Sequence, residues 1–176
     1  MKFISFKHND QNKFGIINNN KITDLTGKVS NSNTLKDLIS NQGIEEAKSY
    51  ATNNPGNIND SDIEYLPLIP NPGKIICVGL NYSEHVKETN RTVEENPVIF
   101  HRFPESQTAH LQPIQRPLVS QTLDFEGEMA VIMGEGGKHI KPEDALKHII
   151  GFSCYNESTV RAVSYTHLTL PTILRV

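Results

Sequence analysis

Three acidic side chains recur at every second position in the run LDFEGEMAVIM: Asp124, Glu126 and Glu128, with Phe125 and Gly127 between them. In an extended strand successive side chains alternate between faces, so the three carboxylates share one side and Phe125 takes the other. Unless that side is fully wet the charges repel, and hard oxygen donors gathered in this way suit Mg²⁺, Mn²⁺ or Ca²⁺. A solvated edge strand with acidic gatekeepers accounts for the same pattern. A second constellation is His85 with Glu88 in SEHVKE. Three residues apart on a helical turn they are neighbours, and a carboxylate that holds an imidazole fixes its tautomer and raises its basicity, as a general base requires. An ordinary surface pair is the alternative, with Glu84 a competitor for the same role. Arg102 in IFHRF carries the planar fork that clamps a substrate carboxylate, or else is a charge at a strand end. Glu157 in YNES is a carboxylate after an apolar run. His101, His110, His139 and His148 show no mutual ligand spacing and read as surface or packing residues.

These residues need elements to hold them. KIICVGL is a continuous apolar run of strand length, the kind buried on both faces, and it ends at Gly79. NYSEHVKETN reads as a short helix, PVIFHRF as a strand, TLDFEGEMAVIMGEG as one long strand or hairpin arm, PEDALKHI as a helix with Pro142 near its start, and IGFSCYNES as a further strand. Upstream, residues 2–26 alternate apolar and polar positions between Asn/Asp/Gly clusters, which predicts a three-stranded meander. SNTLKDLISNQGIEEAKSYATN has helical spacing and predicts two short helices punctuated by Gly43. The Asn-, Asp-, Pro- and Gly-rich stretch around residues 53–73 reads as a domain boundary.

Composition narrows the partners. The 176 residues carry 17 Lys+Arg against 20 Asp+Glu, a net charge of −3, and are 36% hydrophobic. Nucleic-acid and anionic-membrane binders need a clustered positive excess, so neither partner is expected. Apolar runs fall short of the ~20 residues of a membrane-spanning helix, and MKFISFKHND turns polar too early for a secretory signal. The expectation is a soluble, cytoplasmic protein. Cys77 and Cys154 sit in apolar settings and are expected as small buried hydrophobes.

Taken together and in this order, PGKIICVGLNYSEHVKE, NPVIFHRF, LDFEGEMAVIMG, PEDALKHIIGFSCYNE and STVR resemble the fumarylacetoacetate hydrolase family, over roughly residues 72–161. VGLNYxxHxxE followed about forty residues later by LDFEGE is the specific part of the likeness. The resemblance implies an α+β, mainly β fold: a mixed β-roll catalytic domain, here incomplete and beginning near residue 71, after a small α+β N-terminal domain over residues 1–70. It implies that Glu126, Glu128 and Glu157 bind Mg²⁺ or Mn²⁺, Glu157 standing where many members have Asp. His85 and Glu88 would form a water-activating dyad on a lid-like segment. Arg102, where many members have Lys, and Tyr82 would bind a small oxo-acid substrate, and Ser106-Gln107 follows as in one branch of the family. The implied activity is hydrolysis of C–C bonds in acylpyruvate- or fumarylacetoacetate-like acids, with hydratase, isomerase, decarboxylase and lyase relatives as alternatives, and a non-catalytic metal-binding module as the reading of another class. Members are commonly homodimers.

From Ala162 onward, AVSYTHLTLPTILRV departs from the family pattern and reads as a non-native tail over residues 162–176. On that reading the chain is the N-terminal portion of a longer enzyme. It is then expected to leave sheet edges unpaired and to lack hydrolase activity by itself, while the full-length parent has it.

Overall fold

The structure is a computed structural model and describes residues 1–82 and 96–163. The chain forms two compact units, Met1–Leu111 and Gln112–Val176, and each is described by itself. The α+β, mainly β class expected from the sequence is the class observed.

The first unit is built on the expected meander. Strands β1 (Lys2–His8), β2 (Gln11–Asn18) and β3 (Lys21–Asp24) are joined by two-residue turns, Asn9-Asp10 and Asn19-Asn20. All four turn residues have positive φ, between 47° and 63°. That geometry matches the right-handed twist of the flanking strands, and Asn and Asp tolerate it better than other side chains. Helices α1 (Leu35–Ser40) and α2 (Ile44–Asn53) follow, as the spacing predicts. Thr34 caps α1: its hydroxyl accepts the Asp37 N–H at 3.1 Å, and the Asp37 carboxylate accepts the Thr34 N–H at 2.9 Å. Two very short strands then complete the sheet, β4 (Ile58–Asn59) beside β3 and β5 (Glu64–Tyr65) beside β1, giving the antiparallel order β4-β3-β2-β1-β5. Part of the stretch read as a domain boundary therefore belongs to this sheet.

Phe6, Phe14, Ile16, Ile22, Leu25, Val29, Leu35, Leu38, Ile39 and Ala47 are buried between the sheet and the helical segment. Gly15 sits where β2 and β3 leave no room for a side chain: one there would run into the carbonyl of Thr23. Asp24, at the end of β3, ties the unit together. Its carboxylate accepts Lys13 Nζ at 2.9 Å and the Thr26 N–H at 2.9 Å, with Lys28 Nζ at 3.8 Å.

Strands β6 (Ile75–Gly79) and β7 (Val98–Arg102) pair antiparallel, from Ile75 opposite Arg102 to Gly79 opposite Val98. The expectation that IICVG is buried on both faces is overturned. Ile76, Val78, Val98 and Ile99 are exposed, because among the described residues β6 has only β7 as a neighbour in its sheet. Leu80, at φ 54°, turns the chain out of β6 just before Tyr82.

In the second unit β8 (Leu123–Asp124) pairs with β11 (Thr159–Val160), and β9 (Gly127–Met133) pairs with β10 (Ile149–Asn156), both antiparallel. TLDFEGEMAVIMGEG, expected as one long strand or hairpin arm, is thus interrupted at Phe125-Glu126. The helix expected over PEDALKHI is a 3₁₀ helix, Pro142–His148. Its Asp144 N–H bonds to Lys141 three residues back, and its last residue is held by the Gly134 N–H at 2.8 Å, so the segment closes a tight link between β9 and β10. Cys154 is exposed and Cys77 only half-buried, which corrects the expectation of two buried thiols. Cys154 shares the open face of β10 with Phe152 and Ile150.

Candidate active site

The interruption between β8 and β9 lies directly across from one between β10 and β11. At this break, side chains take over part of the ladder. Phe125 N–H bonds to the carboxylate of Asp124 at 2.9 Å, and Glu126 N–H bonds to Asn156 Oδ1 at 3.0 Å. Asn156 Oδ1 also accepts the Ser158 hydroxyl at 3.0 Å. The Glu157 N–H reaches back to the Glu126 carbonyl at 2.8 Å, and Glu128 lies opposite Tyr155 in the register. The backbone therefore brings Glu126, Glu128 and Glu157 to one junction, although Glu157 is about thirty residues along the chain from the other two.

The side chains at this junction are held by an arginine. Arg161 Nη1 lies 2.6 Å from Glu126 Oε1, while Nη2 and Nε each lie 3.0 Å from Asp124 Oδ2. Both carboxylates reach one guanidinium, so Asp124 and Glu126 occupy the same side of the strand, and Phe125 stands 76% exposed. Among the described residues no three His, Cys, Asp or Glu side chains converge closely enough to hold a metal ion. The donor set at the junction is nonetheless all carboxylate oxygen, the chemistry that suits Mg²⁺ or Mn²⁺, so by donor type Glu126, Glu128 and Glu157 fit such an ion. Beside them a shallow depression is lined by Glu128, Met129, Phe152, Ser153 and Cys154.

The remaining sequence-selected residues lie elsewhere in the chain. Arg102 ends β7, half-buried, and Tyr82 follows the Leu80 turn with about half its surface exposed (49%). Both belong to the first unit. His85 and Glu88 lie outside the described residues, as do the rest of the segment read as a short helix, residues 83–90, the following residues 91–95, and most of the segment read as a non-native tail, residues 164–176. Sequence reasoning did not single out Arg161 or Asn156. Arg161 is 37 residues from Asp124 and Asn156 is 30 from Glu126, and no local pattern announces either contact.

The sequence model described as Fumarylacetoacetate (FAA) hydrolase C-terminal matches residues 74–174, more than half of the chain. The chain belongs to the fumarylacetoacetate hydrolase family. Similar members of that family include a protein described as oxaloacetate tautomerase fahd2, mitochondrial, from Xenopus laevis, 39% identical over 118 residues, or 67% of this chain and 37% of that protein. The human oxaloacetate tautomerase FAHD2A, mitochondrial, is 39% identical over 101 residues, 57% of this chain and 32% of its own length. Among solved structures, a fumarylacetoacetate hydrolase from psychrophilic Exiguobacterium antarcticum superposes with a TM-score of 0.71 at 27% identity, covering 96% of this chain and 59% of that one. A maleylpyruvate hydrolase from Sphingobium sp. SYK-6, solved in complex with manganese (II) ion and pyruvate, has the same fold, with a TM-score of 0.70 at 21% identity over 90% of this chain and 60% of that one. The chain spans about a third of the length of these two oxaloacetate tautomerases.

Proposed function

We propose that this family member works as a divalent-cation-dependent hydrolase that cleaves C–C bonds of acylpyruvate- or fumarylacetoacetate-like oxo-acids. The observation that carries the reading is that the backbone brings the positions of Glu126, Glu128 and Glu157 to one break in the paired strands of a fumarylacetoacetate hydrolase-family chain. The relative solved with manganese and pyruvate supports both the ion and the substrate class.

In this mechanism Glu126, Glu128 and Glu157 hold the cation, Mg²⁺ or Mn²⁺. When bound, it supplies Lewis acidity toward a 2-oxo-carboxylate and offsets the negative charge that develops as the bond breaks. His85 takes a proton from water, and Glu88 keeps its imidazole in the tautomer that can do so. The hydroxide so formed adds to the carbonyl distal to the carboxylate. The C–C bond then breaks, its electron pair stays on the pyruvyl fragment, and that carbon is protonated. Arg102 pairs with the substrate carboxylate, and Tyr82 lends a hydroxyl for orientation.

The likeness to the two oxaloacetate tautomerases favours a second reading, in which the same residues move a proton between the keto and enol forms of a 2-oxo-diacid with no bond cleavage. One experiment separates these. The full-length protein and its His85→Ala variant are assayed with an acylpyruvate and with oxaloacetate, and Mn²⁺ affinity is measured alongside. Hydrolysis that disappears in the variant with Mn²⁺ affinity intact supports the first reading. Enol–keto interconversion without hydrolysis supports the second, and an unchanged hydrolysis rate eliminates His85 as the base.

A further inference from the structure

The arginine at the strand break has no part in the reaction just described, yet its guanidinium is held by two carboxylates. Thr159 of β11 stands opposite Asp124 of β8. The Arg161 N–H bonds to the Thr122 carbonyl at 2.9 Å, and the Ala162 N–H bonds to the Thr122 hydroxyl at 3.0 Å. The guanidinium thus starts from backbone fixed beside β8. It reaches two carboxylates at once, with 26% of its side chain and 24% of that of Glu126 exposed. Partial withdrawal from water weakens screening, and a fork shared between two carboxylates is held in orientation as well as in place.

We propose that Arg161 is a built-in counter-cation for the candidate metal centre: it holds Asp124 and Glu126 while the glutamates carry no divalent ion, and it competes with that ion for Glu126. The inference rests on the reading of Glu126, Glu128 and Glu157 as cation ligands. Two carboxylates bridged by one guanidinium carry a net single negative charge, where two bare ones would carry twice that and repel. An incoming dication meets a fixed positive charge on one of its own ligands, so its affinity falls below what three carboxylates alone would give. When the ion leaves, the break keeps its form because Arg161 takes up the charge. Arginine suits the task because it stays protonated at every physiological pH.

The test uses the full-length protein with Mn²⁺ alone as probe, titrated calorimetrically into the unmodified protein, Arg161→Gln and Arg161→Lys, with the thermal midpoint of each recorded with and without Mn²⁺. Arg161→Gln is expected to bind Mn²⁺ about tenfold or more tightly than the unmodified protein, since a unit charge at contact range is removed. Its metal-free midpoint is expected to fall and its Mn²⁺-induced rise to grow, while Arg161→Lys, which keeps the charge, stays near the unmodified affinity. If Arg161→Gln is unfolded without Mn²⁺, refolding on Mn²⁺ addition supports the proposal, and failure to refold at saturating Mn²⁺ overturns it. Equal or weaker Mn²⁺ binding by Arg161→Gln overturns the counter-cation role and leaves the cation reading standing. No Mn²⁺ binding by any of the three proteins overturns both.

Discussion

Replacing Asp24 should destabilise the first unit by an amount that depends on pH. The Asp24 side chain is only 11% exposed, and its partner Lys13 is 19% exposed. Burial is the strongest single influence on its carboxyl and pushes the pKa up. The Lys13 ammonium, the Thr26 backbone N–H and hydroxyl, and Lys28 together outweigh burial and hold the pKa below the ordinary carboxylate value. A charge-assisted hydrogen bond contributes about 1.5–3 kcal/mol and a neutral one about 0.5–1.5. Asp24→Asn keeps an oxygen for Thr26 and loses the charged contact with Lys13, so it should cost about 2 kcal/mol; Asp24→Ala loses both and should cost about 3 kcal/mol. With a urea slope of about 1–3 kcal/mol/M, the Asn variant's midpoint should fall by roughly 1 M at neutral pH, followed by circular dichroism on the full-length protein. A carboxyl whose folded pKa is depressed contributes stability above its unfolded pKa and loses it as pH falls through the folded value. The gap between unmodified and Asn proteins should therefore close as pH drops from about 5 toward 2. A penalty below about 0.5 kcal/mol at neutral pH, or one that is the same at both ends of that range, would refute the assignment.

Three further substitutions probe the frame of the molecule. Gly15→Ala places a methyl against the Thr23 carbonyl and should cost about 1–3 kcal/mol in thermal or urea unfolding while leaving Mn²⁺ affinity unchanged; a neutral effect would mean that β2 and β3 can separate locally. Thr34→Ala removes the α1 cap and should cost about 1 kcal/mol, with Thr34→Ser restoring most of it, and equal losses in the two variants would discount the cap. Asn156→Ala leaves Glu126 N–H and the Ser158 hydroxyl without their shared acceptor. It should weaken Mn²⁺ binding in calorimetry and lower stability by about 1–2 kcal/mol, whereas unchanged Mn²⁺ affinity would show that the break keeps its form without Asn156.

The sequence disclosed the elements whose signals are local. Asn9-Asp10 and Asn19-Asn20 between alternating runs mark hairpins because few other residues accept positive φ, and Thr34 with Asp37 marks a helix start within four residues. It did not disclose β4 and β5. Each is two residues long, too short to display alternation, and they sit in a stretch whose Pro and Asn content reads as a connection. Glu126 and Glu128 stood out by their spacing and Glu157 only through the resemblance, with Asp124 and Glu126 legible as same-side neighbours, but the break that brings these positions together was not. It depends on Asn156 accepting a hydrogen bond that a ladder would otherwise take, from a residue 30 positions away. Arg161 closed the STVR piece of the resemblance, but its contacts stayed hidden for the same reason, since its partners lie some 35 residues back along the chain. The apolar runs of β6 and β9 signalled strands correctly but not their exposure, because hydrophobicity records what a strand can pack against and not what lies beside it.

The open face of the β9–β10 ribbon carries a chemical reporter. The chain has three methionines, Met1, Met129 and Met133, and all three are exposed, at 64%, 62% and 54%. None sits in the hydrophobic core, so mild peroxide should convert thioethers to sulfoxides without disturbing the folded interior. Met129 and Met133 therefore act as a footprint for whatever comes to lie on that ribbon. Their rate of oxidation relative to Met1, read by peptide mass spectrometry, measures how far a covering surface protects it, and each sulfoxide formed makes the same face more polar and less able to be covered again.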